Sequence, residues 1–141
     1  MIKVLLCGCS GKMGNSVINL IADNDDIEIA AGVDTSLKKF DFPVFTDFRD
    51  VSITPDVIID FSNASALADV LKFATVRNIP AIIATTGHSD AQIESIKNAA
   101  KTVPIFFTAN MSLGINVLCA LAKQAAAAIY QYYAAAVAYH S

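Results

Sequence analysis

Three glycines, Gly8, Gly11 and Gly14, stand directly after the apolar run 2 to 7 and open a stretch with helical apolar spacing. Glycine permits positive φ and lets another backbone or a ligand come close. At a strand-to-helix turn these properties divide by position. Gly8 would make the tight turn, Gly11 would leave room for a pyrophosphate, and Gly14 would let the helix pack close. The N–H groups that open such a helix, with its dipole, face the phosphates. The spacing is G-x-x-G-x-x-G and not the commoner G-x-G-x-x-G, so alone it is a weak signal. An acid strengthens it. Asp34 closes the next apolar run about 20 residues beyond Gly14, where a carboxylate holds the adenosine ribose of a dinucleotide. A carboxylate there favours two free hydroxyls, hence NADH. A 2′-phosphate wants an Arg or Lys, and Thr35 and Ser36 follow instead. Lys12, Lys38 and Lys39 could supply charge, although the last two read more readily as a solvated turn. The expectation is that NADH and NADPH both bind, NADH at least as well.

The elements that must position these groups alternate along the chain. Residues 2 to 7, 27 to 34, 56 to 61, 81 to 87 and 104 to 110 read as buried strands. Residues 12 to 24 read as a helix with Met13, Val17, Leu20 and Ile21 on one face, and 63 to 78 as a helix with Leu67, Val70, Leu71 and Ala74 inward. A third helix over 89 to 101 starts at a cap on Ser89 or Asp90, and a fourth runs on from about residue 112. Between 35 and 55 only "PVFTDF" suggests a short strand and turn. The pattern predicts an α/β fold, a doubly wound Rossmann-type parallel sheet with helices on both faces. Ligands of such sheets bind beyond the carboxyl ends of the strands. Polar and glycine residues gather at those ends: the Gly8–Gly14 turn, Asp34, Phe61 with Ser62, Thr85 with Thr86 and Gly87, and Thr108 with Ala109 and Asn110. Thr85 and Thr86 could meet a nicotinamide or simply cap the next helix. Phe61 could pack on a cofactor or belong to the core. Asn110 could read the nicotinamide amide or cap a helix. His88 reads as solvent-facing rather than catalytic.

The totals exclude several functions. A chain of 141 residues with 55% apolar content fits one ordinary domain with a real core. A net charge of -3 offers no basic face for nucleic acid. No stretch before residue 124 could span a bilayer, so no membrane partner is expected. "MIKVLLCG" is too short for an export signal and meets a glycine turn. The cysteines, Cys7, Cys9 and Cys119, lack a second Cys or His pair at metal-ligating spacing and read as buried reduced thiols. That usage points to a cytoplasmic location.

The ordered set "GCSGKMG", "VIIDFS", "ATTG" and "FTANMSLGIN" resembles the 4-hydroxy-tetrahydrodipicolinate reductase family, over roughly residues 1 to 124. The last segment is specific; another two-domain dehydrogenase would share the glycine loop without it. The resemblance implies hydride transfer from NADH or NADPH to a cyclic dicarboxylate substrate in lysine and diaminopimelate biosynthesis, by a homotetramer. It implies that Gly8, Cys9, Ser10, Gly11, Lys12 and Met13 surround the pyrophosphate and that Asp34 holds the ribose. Residue 35 is where some members place an Arg for the 2′-phosphate; Thr35 weakens that contact. Ala84, Thr85 and Thr86 fall near the nicotinamide, with Ala84 replacing the family's usual Gly. Thr108, Ala109, Asn110 and Met111 would complete that site.

The chain departs from the family after its last helix. The family's second, α+β substrate domain carries a His-His pair, a catalytic Lys and a Ser-Gly-Thr stretch. Here the histidines are His88 and His140, and no Lys follows Lys123. The tail "AAAAIYQYYAAAVAYHS" has no formal charge and no amphipathic pattern. The expected organisation is therefore a dinucleotide-binding domain over 1–123 and a remnant over 124–141, truncated or undetermined, with the substrate domain missing. Two classes follow: a reductase seen through its cofactor domain, or a dinucleotide-binding module without turnover.

Overall fold

In the computed structural model residues 1–36, 38–107 and 115–127 are described, with 115–118 by backbone alone. Strands β1 (Ile2–Cys7), β2 (Ile27–Val33), β3 (Val44–Phe45), β4 (Val57–Asp60), β5 (Ala81–Ile83) and β6 (Ile105–Phe107) form one sheet. Its order is β3-β2-β1-β4-β5-β6 and every pairing is parallel. Helices α1 (Lys12–Ala22), α2 (Leu67–Arg77), α3 (Asp90–Ala99) and α4 (Ile115–Ala127) accompany it. This is the doubly wound arrangement that the alternation predicts, and chain order reverses at the β1/β4 boundary.

The strands are continuous apolar runs because both sheet faces are covered. Leu5, Ile58 and Ile83 pack with the inward side chains of α2 and α3. Val4, Leu6, Ile59 and Ile82 pack on the other face with Val17 and Ile21 of α1 and with Cys119, Ala122 and Ala125 of α4. Full burial of each large aliphatic side chain contributes about 1.5–3 kcal/mol. The inward set of α2 is as its spacing predicts, with Phe73 added. On α1 only Val17, Ile21 and Gly14 are fully buried; Met13 and Leu20 are half-buried.

One irregularity changes which residues face which layer. Val4 pairs with Ile29 but Leu5 pairs with Ala31, so Ala30 is an extra residue in β2. A bulge of this kind flips the alternation beyond it. Ile27 and Ile29 accordingly join the α1/α4 side, while Ala31 and Val33 join the α2/α3 side.

The ladder ends at one level, since Cys7 pairs with Asp60, Asp60 with Ile83 and Ile83 with Phe107. The strand expected over 81–87 is therefore shorter: Ala84, Thr85, Thr86 and Gly87 run beyond the sheet as a lip. The strand expected over 104–110 pairs only through Phe107, and residues 108–114 lie outside the described residues. The helix expected over 63–78 begins with a 3₁₀ turn at Ala64–Ala66, where Asn63 accepts from the Ser65 N–H.

At α3 the structure chooses Ser89 as the cap. Gln92 N–H donates to Ser89 Oγ at 3.2 Å and Ser89 N–H donates to Gln92 Oε1 at 2.9 Å. Gln92 Nε2 also reaches Ala64 O at 2.7 Å, tying α3 to the start of α2. Ser89→Ala is expected to lower the unfolding free energy by about 1 kcal/mol, read from urea denaturation; an unchanged midpoint would contradict the capping box.

α4 continues to Ala127, and Ala125 is buried on the same sheet face as Ala122. Residues 128–141 lie outside the described residues. Among the described residues no helix is long and apolar enough to cross a membrane.

Candidate functional site

The Gly8–Gly14 turn is built by backbone constraints. Gly8 has φ +79°, and its N–H donates to Val33 O at 2.9 Å. A Cβ there would lie 2.7 Å from the carbonyl carbon and oxygen of Phe61 and from Ser62 N. Gly14 is buried against the turn itself: its Cβ would lie 2.4 Å from Gly8 O. Gly11 differs. A Cβ there would meet only Gly8 O, at an ordinary 3.5 Å. The fold does not demand glycine at 11, whereas an approaching ligand would. Gly11 is also the N-cap of α1, and no side chain caps that helix, which leaves its first N–H groups for an external acceptor.

Asp34 is fixed beside this turn. Its N–H donates to Phe45 O at 3.0 Å, which hangs it from the end of β3. Its Oδ2 accepts from Ser10 N–H at 3.0 Å and from Ser10 Oγ at 2.6 Å, and its Oδ1 accepts from Ser36 N–H at 3.0 Å. Burial pushes its pKa up, but the hydrogen bonds from Ser10, Ser36 and Thr35 outweigh this and hold it below the ordinary carboxylate value. The carboxylate is ionised at neutral pH and is an acceptor toward donors entering the cleft.

The turn and Asp34 open on a cleft of about 930 Å³ at the carboxyl ends of β1, β2 and β4. That volume suits a cofactor-sized ligand. Of the expected residues, Gly8, Ser10, Gly11, Asp34, Thr35 and Phe61 line it. Phe61 is half-buried, packs against the Val4 and Leu6 cluster and presents surface to the cleft. Lys12 is exposed and Met13 half-buried on the first turn of α1. Ala84 and Thr85 are buried at the β5 lip, and Thr86 is exposed there. Thr108, Ala109, Asn110 and Met111 lie outside the described residues.

Cys9 can offer only backbone to a ligand. Its side chain is buried, and its Sγ would be 2.7 Å from a Cβ on Gly32. Burial, with the negative charge of Asp34, pushes its thiol up to about 11. Burial, and then the charge of Asp60, raises the Cys7 thiol well above its ordinary value. Cys7, Cys9 and Cys119 are free and buried.

Sequence reasoning missed the outer wall of the cleft. Arg49, Lys72 and Arg77 line it with Asp47 and Asp69. Arg49 is paired with Asp47 at 2.7 Å. Arg77 lies 4.5 Å over the Phe73 ring and donates to Val51 O at 3.0 Å, pinning the loop before β4 to α2. Asp69, Lys72, Phe73, Val76 and Arg77 follow helical spacing, and that stripe was the legible signal. Lys38 instead lies 5.6 Å over the Phe40 ring and does not line the cleft.

His88 is also not solvent-facing as expected. Its Nε2 is 2.6 Å from Thr85 Oγ1, its ring meets Phe107 edge-on with centroids 5.7 Å apart, and its Nδ1 is buried.

Asp60 closes β4 and is fully buried. Its Oδ1 accepts from Ser62 N–H at 2.9 Å and from Ser62 Oγ, while Oδ2 has no partner among the described residues. Burial raises its pKa, opposed by the Ser62 hydrogen bonds and by His88. The folded state thus holds this proton more tightly than the unfolded chain. Its contribution to stability is greatest below the ordinary carboxylate pKa and is lost as pH rises through the raised value. Asp60→Asn keeps the Ser62 acceptor and removes the buried charge. The variant is expected to lose less stability than the parent between pH 4 and pH 7, by urea unfolding at both; identical slopes would show that Asp60 is not held protonated.

A family profile described as "Dihydrodipicolinate reductase, N-terminus" matches residues 2–111. The chain belongs to this family. The 4-hydroxy-tetrahydrodipicolinate reductase of Caldanaerobacter subterraneus subsp. tengcongensis is 47% identical over 126 residues, covering 89% of this chain and 50% of the relative. That of Clostridium tetani is 40% identical over 132 residues, covering 93% and 52%. The chain spans about half the length of these reductases. Among solved structures, a dipicolinate-bound dihydrodipicolinate reductase from Paenisporosarcina sp. TG-14 superposes with TM-score 0.69 at 24% identity, over 78% of this chain and 48% of that one. An oxidoreductase from Agrobacterium radiobacter in complex with NAD+, L-tartaric acid and magnesium gives 0.58 at 20% identity, over 75% and 34%. At these identities both show the shared fold. The family match bears out the resemblance carried by "GCSGKMG", "VIIDFS", "ATTG" and "FTANMSLGIN".

Proposed function

We propose that this chain binds NADH or NADPH in the cleft and supplies the cofactor site of an oxidoreductase. The reaction would be reduction of 4-hydroxy-tetrahydrodipicolinate to tetrahydrodipicolinate in lysine and diaminopimelate biosynthesis. The observation that carries this is the uncapped start of α1 behind Gly11, a position where the fold leaves space, beside an ionised Asp34. The family match and the dipicolinate held by the Paenisporosarcina relative support a dicarboxylate substrate.

In this reading Gly8, Cys9, Ser10, Gly11, Lys12 and Met13 surround the pyrophosphate, Cys9 through its backbone only. Asp34 accepts from the adenosine ribose hydroxyls, which take the place of the Ser10 hydroxyl. Thr35 adds no charge for a 2′-phosphate; the guanidinium groups on the cleft wall are Arg49, partnered by Asp47, and Arg77, bonded to Val51 O. Phe61 flanks the path toward the nicotinamide, and Ala84, Thr85, Thr86, Thr108, Ala109, Asn110 and Met111 receive that ring. When bound, the cofactor supplies a hydride from its nicotinamide. The chain's own residues bind it and fix its orientation, which is the protein's share in such chemistry.

The cofactor domain expected over 1–123 takes in the rest of α4 to Ala127, since Ala125 packs on its sheet, and the remnant that follows is read as a truncated or undetermined piece of the substrate half. Substrate carboxylates and the proton donor would be handled by the half of the relatives that these 141 residues do not span. The complete enzyme is proposed to be a cytoplasmic homotetramer. A second reading is a dinucleotide-binding module or fragment without turnover. Titration of the 141 residues with NADH and NADPH tests both readings, and an assay with substrate on the full gene product separates them. Binding of both, NADH at least as tightly, is expected from the 141 residues, with no turnover. Turnover by the full gene product would sink the module reading, and absence of binding would sink both.

A further inference from the structure

His88 joins the β5 lip to the end of β6 just beyond the last paired residues, Ile83 and Phe107. Its Nε2 reaches Thr85 Oγ1 at 2.6 Å, across the turn in which Gly87 has φ +79°. Its ring lies edge-on to Phe107, the last residue of β6. Thr85 is itself buried, with 5% of its surface exposed. His88 Nδ1 is buried with no hydrogen-bond partner among the described residues; the Thr85 bond and the Phe107 contact hold the ring, and Asp60 acts on it electrostatically. An orphaned lone pair is tolerated better than an orphaned N–H. The tautomer that fits therefore carries its proton on Nε2 and donates it to Thr85 Oγ1. The Thr85 hydroxyl hydrogen then remains available at the end of β5.

We propose that His88 is a positioning residue for the nicotinamide end of the cofactor: it clasps the turn through Thr85 to the end of β6 and so fixes the shape of the surface that receives the ring. The proposal rests on the nicotinamide lying at the β5 lip, as read above. It places no direct contact between His88 and the cofactor. Sheet pairing stops at Ile83, so the conformation of Thr85, Thr86 and Gly87 depends on bonds such as this one.

The test compares NADH with ADP-ribose, which lacks the nicotinamide, on the chain and two variants. His88→Phe keeps a ring against Phe107 and removes the nitrogen. His88→Gln returns an amide nitrogen near the Nε2 position without the ring. Loss of one hydrogen bond of this kind corresponds to about a fivefold change in Kd. His88→Phe is expected to weaken NADH by that factor and leave ADP-ribose unchanged, and His88→Gln to restore NADH binding. Equal weakening of both ligands would indicate a merely structural role and overturn the proposal. So would His88→Phe binding NADH like the parent, or His88→Gln remaining as weak as His88→Phe. A parent chain that binds ADP-ribose and NADH equally overturns the proposal while the dinucleotide reading stands; a parent that binds neither overturns both.

Discussion

Gly8→Ala is expected to remove about 4 kcal/mol of stability, a large share of the roughly 5–15 kcal/mol that a domain possesses. Two penalties act together. The alanine must hold φ near +79°, which costs an L-residue about 1–2 kcal/mol. Its Cβ must also fit where three backbone atoms of Phe61 and Ser62 lie 2.7 Å away. Backbone paired into β4 and its following turn cannot yield as a flexible side chain does, and overpacking of this kind costs about 1–3 kcal/mol or more. No helix propensity is gained in return, because Gly8 lies in the turn. Urea unfolding followed by circular dichroism reads the loss. A midpoint within error of the parent would mean that the β1 turn does not press against the end of β4.

Gly11→Asp is expected to act in the opposite direction on stability and to abolish dinucleotide binding. Gly11 has φ -78° and ψ 173°, the extended backbone usual at an N-cap. Aspartate is a favoured residue there and its charge suits the helix dipole, so a gain of a few tenths of a kcal/mol is expected. The carboxylate would take the first N–H groups of α1 and repel an incoming pyrophosphate. Loss of those interactions corresponds to at least about 100-fold in Kd for both NADH and NADPH. Thermal melting and ligand titration on one sample give both readings. Tight NADH binding by this variant would show that the phosphates do not use the α1 N-terminus. The contrast with Gly8 is the point of the experiment: one glycine is required by the fold, the other is left open by it.

Much of this was legible because the signals are local. Apolar runs bounded by turn residues located β1, β2, β4, β5 and β6, and Ser89 or Asp90 marked the start of α3, with the structure choosing Ser89. The stripe Leu67, Val70, Leu71 and Ala74 identified the inward face of α2. The same helix has a second stripe, Asp69, Lys72, Val76 and Arg77, to which periodicity alone assigned no role. It became the cleft wall because the loop before β4 lies over it, a fact about contact between distant segments. His88 was misjudged for a related reason. An isolated histidine in a polar loop carries no sign of its partners, and both Thr85 and Phe107 were needed to enclose it.

Taken by itself, the sequence determined the parallel doubly wound class, the glycine turn before α1, the acid after β2 and the family, because each depends on residue type at short and regular spacing. Only the tertiary structure decided that Gly8 and Gly14 answer to backbone crowding while Gly11 does not, since that depends on which atoms lie across the turn. It alone showed the extra residue at Ala30, which sends Ala31 and Val33 to the opposite layer from Ile27 and Ile29. Periodicity along one strand contains no information about a neighbour's register, because register is set by pairing between strands and by the packing of both faces at once.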